Sequence, residues 1–278
     1  MKKLQTLLGI ALSGVLLNAG ISAFAQPAKP GYATVVRVKG TASYSLDAGA
    51  HKFPLVAGKF LEPGATIYTA DDGVVDVVLG KAIDLPQAAW VPDRISLSVD
   101  SPVRGLVTYQ PSAEQNVVRV MASSTLVIDK LTTTSSGADT VSDTELDLKQ
   151  GTIYASVKKL SPAAQYLVKT PSGIAGVRGT QFSITLNPDG TIQNVAVYKT
   201  LNDDGLVLSV NTPGGTTSTY LIKDGQVWQN GSPNPVPLSP QLRSLLQLTF
   251  SALRTVYFQL VNFDFDHTKQ YESSDFGF

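Results

Sequence analysis

The sequence predicts an all-β fold, an antiparallel β-roll or sandwich, followed by one C-terminal amphipathic helix. Three observations support this class. Valine and threonine, whose β-branched side chains favour strands, make up 54 of the 278 residues. Short apolar runs alternate with turn sequences such as Asp71-Asp72-Gly73 and Asn187-Pro188-Asp189-Gly190. Only beyond a proline-rich linker do leucines recur at helical spacing.

The composition excludes several classes of function. Lys plus Arg and Asp plus Glu both number 22, so no net charge attracts nucleic acid, and we expect no nucleic-acid partner. Cysteine is absent, which removes disulfides, thiolate nucleophiles and cysteine-based metal sites. The two histidines, His51 and His267, leave little material for acid–base chemistry. We therefore predict a protein that is not an enzyme and holds no cofactor.

The first 25 residues have the layout of a secretory signal peptide. Lys2 and Lys3 precede the apolar run from Leu7 to Leu17, and Ala23-Phe24-Ala25 precedes Gln26. We predict cleavage between Ala25 and Gln26 and a location in the periplasm or outside the cell. The apolar run is too short for a membrane span, so we predict no transmembrane segment.

Turn and proline content divide the remaining chain. Residues 26–31 are a short leader, and residues 32–229 are predicted to form one β domain. Within it, the proline-interrupted residues 80–115 are interpreted as an inserted hairpin, and residues 132–142 as a polar loop. A linker at residues 230–240 carries four prolines and ends the β region.

The spacing predicts an amphipathic helix over residues 241–263. Ser239 and Pro240 supply an N-cap and a proline at the first helical position. Three interpretations of its apolar stripe stay open: docking on the β domain, self-association, or lying on a membrane surface. The tail, residues 264–278, is acidic and aromatic and has no regular pattern.

One glycine-rich segment stands out. Thr170-Pro171 is followed by three glycines at a spacing of three, Gly173, Gly176 and Gly179. Each glycine permits either a positive φ or a close backbone approach that a Cβ would block. The segment lacks both phosphate-loop patterns and precedes a strand rather than a helix, so it is not predicted to bind a nucleotide.

This segment resembles the signature of the FecR family. The likeness rests on Thr170-Pro171 and on Val177-Arg178-Gly179-Thr180-x-Phe182. It extends across about residues 34–225, interrupted by the insertion, through four further motifs: Val38-x-Gly40, Leu61-x-x-Gly64-Ala65-x-Ile67-x-Thr69, Leu146-x-Leu148-x-x-Gly151-x-Ile153, and Tyr220 to Gly225. The resemblance makes Thr170, Pro171, Gly173, Gly176, Val177, Arg178, Gly179, Thr180 and Phe182 the family-signature residues.

The resemblance implies a β-rich periplasmic domain. In the founding members of the family, that domain relays the occupancy of an outer-membrane iron-complex transporter to a cytoplasmic sigma factor. Those regulators have a cytoplasmic segment and a membrane span before the domain, whereas this sequence opens with a predicted signal peptide. What carries over is a sensing or protein-docking module.

Two groups of polar residues are candidates for chemistry. Arg178 could grip a partner carboxylate, or it could be a structural arginine that binds nearby carbonyls. The tail holds Asp264, Asp266, His267, Glu272 and Asp275, but their spacing matches no standard metal site. We therefore predict no metal site and no catalytic residue.

Taken together, these features predict an exported, non-enzymatic FecR-like protein that acts as an envelope sensing and regulatory module. Its expected partner is an envelope protein or a surface glycan or other ligand. A structural or adhesive envelope component is the first alternative, and a hydrolase with an unrecognised site is the second.

Overall fold

The computed structural model describes residues 28–80, 103–109, 116–136, 139–201, 204–211, 214–254 and 257–263. The predicted signal peptide with its cleavage point between Ala25 and Gln26, most of the insertion, and the acidic tail lie outside these residues.

The described residues form strands and one helix. In chain order these are β1 (Lys29–Pro30), β2 (Tyr32–Lys39), β3 (Ala42–Ser45), β4 (Phe53–Pro54), β5 (Phe60–Leu61), β6 (Thr66–Thr69), β7 (Val74–Gly80), β8 (Val103–Tyr109), β9 (Asn116–Val120), β10 (Thr125–Ser136), β11 (Asp139–Gln150), β12 (Thr152–Ser156), β13 (Gln165–Thr170), β14 (Gly173–Val177), β15 (Thr180–Leu186), β16 (Ile192–Thr200), β17 (Leu206–Asn211), β18 (Thr217–Ile222), β19 (Gln226–Gln229), β20 (Val236–Pro237), α1 (Pro240–Arg254) and β21 (Tyr257–Phe263).

Two large sheets make up the β region. Sheet I has the order β18, β17, β14, β13, β11, β10, β6, β3, β4, with β1 paired to β10 beside this path. Sheet II has the order β20, β19, β16, β15, β12, β9, β7, β2, β5. Strands therefore join both sheets in nearly chain order, from β4 and β5 at one end to β18 and β20 at the other.

The core lies between the two sheets. Strands alternate buried and outward residues, as in β12, because each strand turns every second side chain toward the facing sheet. Leu146 and Tyr166 from sheet I and Ile153 and Phe182 from sheet II belong to one buried cluster. The predicted all-β sandwich is confirmed, with one addition: β11 and β13 pair in parallel, so sheet I is mixed.

Helix α1 docks on the outer face of sheet II. Leu246, Phe250 and Leu253 are buried there. The Phe250 ring stacks on Tyr198, with centroids 5.6 Å apart, and meets Tyr154 edge-on at 6.2 Å. Docking on the β domain is therefore the arrangement that this chain adopts. Among the described residues, no helix is long and apolar enough to cross a membrane.

Three local predictions differ from the structure. Gly173–Val177, in the glycine-rich segment for which no strand was predicted, is strand β14. Residues 132–142, predicted to be a loop, lie mostly in the long hairpin of β10 and β11, because threonine-rich strands pair well once their backbones are in register. The helix ends at Arg254, and Tyr257–Phe263 is a strand that pairs with β8 instead of continuing the helix.

Candidate functional site

The signature residues carry the chain from sheet I to sheet II. Strand β13 ends at Thr170, and the two-residue turn of Pro171 and Ser172 leads back along β14. After Arg178 and Gly179 the chain enters β15 in the other sheet, where Phe182 is fully buried. Most of the signature therefore builds this hairpin and crossing.

The three glycines meet different requirements. At Gly173 an added Cβ would lie 2.4 Å from the carbonyl oxygen of Ser209, so the backbones approach too closely for a side chain. Gly179 has a φ of +63°, where an L residue is strained. At Gly176 neither reason holds, because φ is not positive and an added Cβ would have no neighbour closer than 3.8 Å. The fold therefore requires glycine at 173 and at 179 but does not require Gly176.

Gly176 lies in the middle of an apolar row on the outer face of sheet I. Leu167 is its register partner on β13, Val207 is its partner on β17, and Leu221 on β18 pairs with Val207. The absent side chain of Gly176 leaves a gap in this row between Leu167 and Val207.

A second outward row, polar in character, follows at the end of the same strands. Arg178 comes one residue after Val177, which is buried, so Arg178 takes the next outward position. Val177 pairs with Leu206 on β17, which places Gly205 and Asp204 beside Arg178. The two rows therefore meet where β14 ends and β17 begins.

A cavity of about 410 Å³ occupies this junction. Its lining combines the apolar row, the polar row and the start of β13: Ala164, Gln165, Tyr166, Leu167, Gly176, Val177, Arg178, Asp204, Gly205 and Val207. The volume is within the range of small-molecule sites. Burial raises the pKa of Tyr166 far above its usual range, so this phenol stays protonated and offers no acid–base group.

Arg178 is hydrogen-bonded to the backbone of the connection before β13. Its Nη2 donates to the carbonyl oxygen of Pro162 at 2.7 Å, which ties the connection before β13 to the crossing. This is the structural role that the sequence left open. The same bond also holds the side chain in place at the cavity. Because a guanidinium has five N–H donors, four remain for other partners.

Sequence reasoning missed Leu167, Val207 and Asp204 as site residues. Only the register of β13, β14 and β17 brings them beside the signature, and no local pattern encodes that register.

It also missed a buried ion pair on sheet II. Arg119 on β9 donates from Nε and Nη2 to the two carboxylate oxygens of Asp76 on β7, at 2.6 and 2.8 Å. Asp76 is fully buried. A signal was present, since each charge interrupts a run of valines, Val74 to Val78 and Val117 to Val120.

His51 does not form a catalytic triad. Its Nδ1 lies 2.5 Å from Oδ2 of Asp47, but the hydroxyl of Ser45 donates to Oδ1 of the same carboxylate instead of facing the imidazole. The Ser45 hydroxyl, followed by the His51 backbone N–H, lowers the pKa of Asp47 far below its usual range. These contacts make an exposed turn that the Asp47 carboxylate stabilises.

No cluster of three or more potential metal-ligating side chains occurs within the described ranges. The acid and base candidates of the tail, residues 264–278, lie outside those ranges.

Comparison with known proteins bears on the signature directly. The family model for FecR protein matches residues 109–200, which include every residue from Thr170 to Phe182. The resemblance to the FecR family is confirmed. The matched residues, called the FecR segment below, are fewer than the residues 34–225 over which the motifs were traced.

Two solved structures, each described as a candidate anti-sigma factor from Parabacteroides distasonis, are similar to this chain. Identity is 14% and 12%, and the TM-score is 0.30 for both. They cover 55% and 56% of this chain, which spans 63% and 75% of theirs. No curated protein matches the sequence.

Proposed function

We propose that this chain is an exported regulatory protein of the bacterial envelope that senses a ligand or partner through its FecR segment. One observation carries the proposal: Gly176, Val177 and Arg178 of the family signature line a cavity that opens on the exposed face of sheet I. A FecR segment whose signature only built the fold would need no such space beside it.

The proposed mechanism is contact rather than catalysis. The resemblance of residues 109–200 to FecR protein supports a regulator of the envelope rather than an enzyme. The cavity offers a guanidinium, a carboxylate and apolar walls but no nucleophile paired with a base. Occupancy of the cavity would change what the outer face of sheet I presents to a second protein.

The proposal extends to the organisation of the chain. Residues 32–229 act as one FecR-like domain, with residues 80–115 inserted and residues 230–240 as the linker to the helix. Mature protein begins at Gln26, in the periplasm or outside the cell. Self-association through helix α1 is also part of the proposal, because Leu245 and Leu248 on α1 are 51% and 71% exposed.

Export is tested by intact mass. Protein from a bacterial envelope fraction should begin at Gln26, either free or cyclised. Recovery of the full-length chain from the cytoplasm would contradict the proposed location.

Partner contact is tested by cross-linking in intact envelopes. Chains carrying Arg178→Ala should lose a cross-linked partner that the unmodified chain retains, whereas Lys199→Ala, an exposed charge removal on sheet II, should keep it. If both variants keep every cross-linked species, the cavity does not contribute to partner contact.

A structural or adhesive role is a second candidate, favoured by a different surface. Residues 53–60 close one end of the sandwich and expose Phe53, Val56 and Phe60 at 48%, 61% and 38%. Three exposed apolar side chains within eight residues are unusual on a monomer and favour a contact surface at this end of the sandwich. If this role holds, light scattering should show oligomers of the unmodified protein. The double variant Phe53→Ser, Phe60→Ser should be monomeric. A monomer at all concentrations would exclude it.

A further inference from the structure

We propose that the cavity beside Arg178 binds a free α-amino acid with a large apolar side chain. The inference rests on the proposed sensing function and names the class of ligand for that same site. Three features of the cavity carry it: an apolar slot, two opposite charges at one end of the slot, and a glycine that the fold does not require.

The slot is the gap above Gly176. Leu167 and Val207 stand on either side of it on β13 and β17. These strands are about 10 Å apart, because each strand spacing is about 4.8 Å. After the two flanking side chains are accommodated, the remaining width suits one aliphatic chain or one ring.

Gly176 keeps this slot open. A Cβ there would contact only Leu167 Cδ2 at 3.8 Å and Val207 O at 3.9 Å, both ordinary distances. Any larger side chain would project from the strand into the cavity itself. The absence of a side chain at Gly176 therefore leaves room for a ligand, and the backbone conformation does not require it.

The charges at the end of the slot are a guanidinium that follows the end of β14 and a carboxylate that precedes the start of β17. Arg178 and Asp204 both line the cavity. Among the described residues these two charges form no ion pair with each other, although both residues line the same space. The Pro162 carbonyl holds one edge of the guanidinium, and the remaining donors suit a carboxylate bidentately.

A zwitterion matches this arrangement better than a peptide segment does. The α-carboxylate would bind Arg178, the α-ammonium would bind Asp204, and the side chain would enter the slot above Gly176. An internal residue of a peptide has neither terminal charge, so its amide groups would leave both protein charges without a partner. The volume of about 410 Å³ accommodates an amino acid the size of leucine or phenylalanine together with water.

The test uses calorimetric titration of the purified protein with four probes. L-leucine should bind, while glycine, N-acetyl-L-leucine and L-leucinamide should each bind at least about tenfold more weakly, because one good contact is removed in each. If free glycine binds as tightly as L-leucine, the apolar slot does not contribute to binding and the proposal is overturned. Equal binding of the acetyl or amide probe would overturn the role of Asp204 or of Arg178.

Variants separate the contacts from the fold. Gly176→Val should abolish leucine binding while the melting curve stays close to that of the unmodified protein; Ile174→Val, an exposed change on the same strand outside the cavity, should leave binding unchanged. Should the valine variant fail to fold, Gly176→Ala should still weaken binding. Arg178→Gln and Asp204→Asn should each weaken it about tenfold or more, unlike Lys199→Gln. Unchanged binding in Gly176→Val overturns the proposal.

These results are independent of the export and cross-linking experiments. If no probe binds but Arg178→Ala still loses a cross-linked partner, this inference fails and the proposed function stands. If leucine binds as described but the chain stays in the cytoplasm, the ligand class stands and the proposed function fails.

Discussion

Helix α1 closes part of the outer face of sheet II, whereas, within the described ranges, the outer face of sheet I is exposed over the strands that carry the signature. On sheet II, Phe250 packs between aromatic rings, and Asp76 is buried with Arg119 as its partner. On sheet I, Val207 and Leu221 stay 44% exposed beside a cavity. The comparison separates stability from recognition: substitutions on sheet II should affect folding, and substitutions at the cavity should affect binding.

The largest effect is expected from breaking the buried ion pair on sheet II. Arg119→Met leaves the carboxylate of Asp76 buried, and Arg37, at 3.8 Å and 39% exposed, is a poor substitute. We expect a loss of about 3–5 kcal/mol in the free energy of unfolding, measured by urea denaturation. The control is Lys130→Met, which removes a partly exposed pair with Asp143 and should cost less than about 1 kcal/mol. Equal losses in the two variants would contradict the distinction.

Helix docking gives the next largest effect. Phe250→Ala removes a buried ring from between Tyr154 and Tyr198 and should cost about 3 kcal/mol in the free energy of unfolding. Leu248→Ala on the exposed side of the same helix should stay within about 0.5 kcal/mol. Thermal unfolding measures both. A large cost for Leu248 would mean that a further surface covers the helix.

Within the signature, Gly179 and Gly176 allow the same comparison between a residue that the fold requires and a residue that lines the cavity. Gly179→Val places a branched side chain at a φ of +63° and should cost about 1–3 kcal/mol. In Gly176→Val the added Cβ makes only ordinary van der Waals contacts, at 3.8 and 3.9 Å, and stability should change by less than about 1 kcal/mol. Chemical denaturation of the pair tests this order. If Gly176→Val is the more destabilised variant, the cavity is part of the packed structure and not a binding site.

The smallest effect concerns the exposed turn at Asp47, which belongs to neither face. Because hydrogen bonding lowers the pKa of Asp47 in the folded state, its stabilising contribution is present above the unfolded pKa of about 3.9 and is lost as pH falls through the folded value. NMR titration of the carboxyl should show it still ionised well below pH 3.9, and Ser45→Ala should raise its pKa. A titration at the ordinary pKa would mean that the Ser45 contact does not form in solution.

Much of the fold could be predicted because alternation, turns and helical spacing are local. Runs such as Gln165–Thr170 and the N-cap at Ser239 are visible in the sequence. Strand β14 was not predicted because two of its five residues are glycines, and glycine is depleted in strands. Its position is stable because β13 and β17 pair with it on both sides, which is a tertiary cause.

The site could be predicted only in part. Arg178 was a candidate because it is the one charge inside the signature. Its neighbour Asp204 lies 26 residues away in the sequence and reaches the cavity only through the register of Val177 with Leu206. The different roles of Gly173, Gly176 and Gly179 depend on what lies opposite each one, which sequence spacing alone does not reveal.

The strand order described above also determines where this protein is at risk of aggregation. Each sheet ends in two edge strands, and an unpaired edge can recruit another chain. Pro54 in β4 and Pro237 in β20 remove backbone donors from two of these edges, and β5 is only two residues long. Strand β18 has six residues and no proline, so misassembly of a crowded or partly unfolded population should begin along Thr217–Ile222.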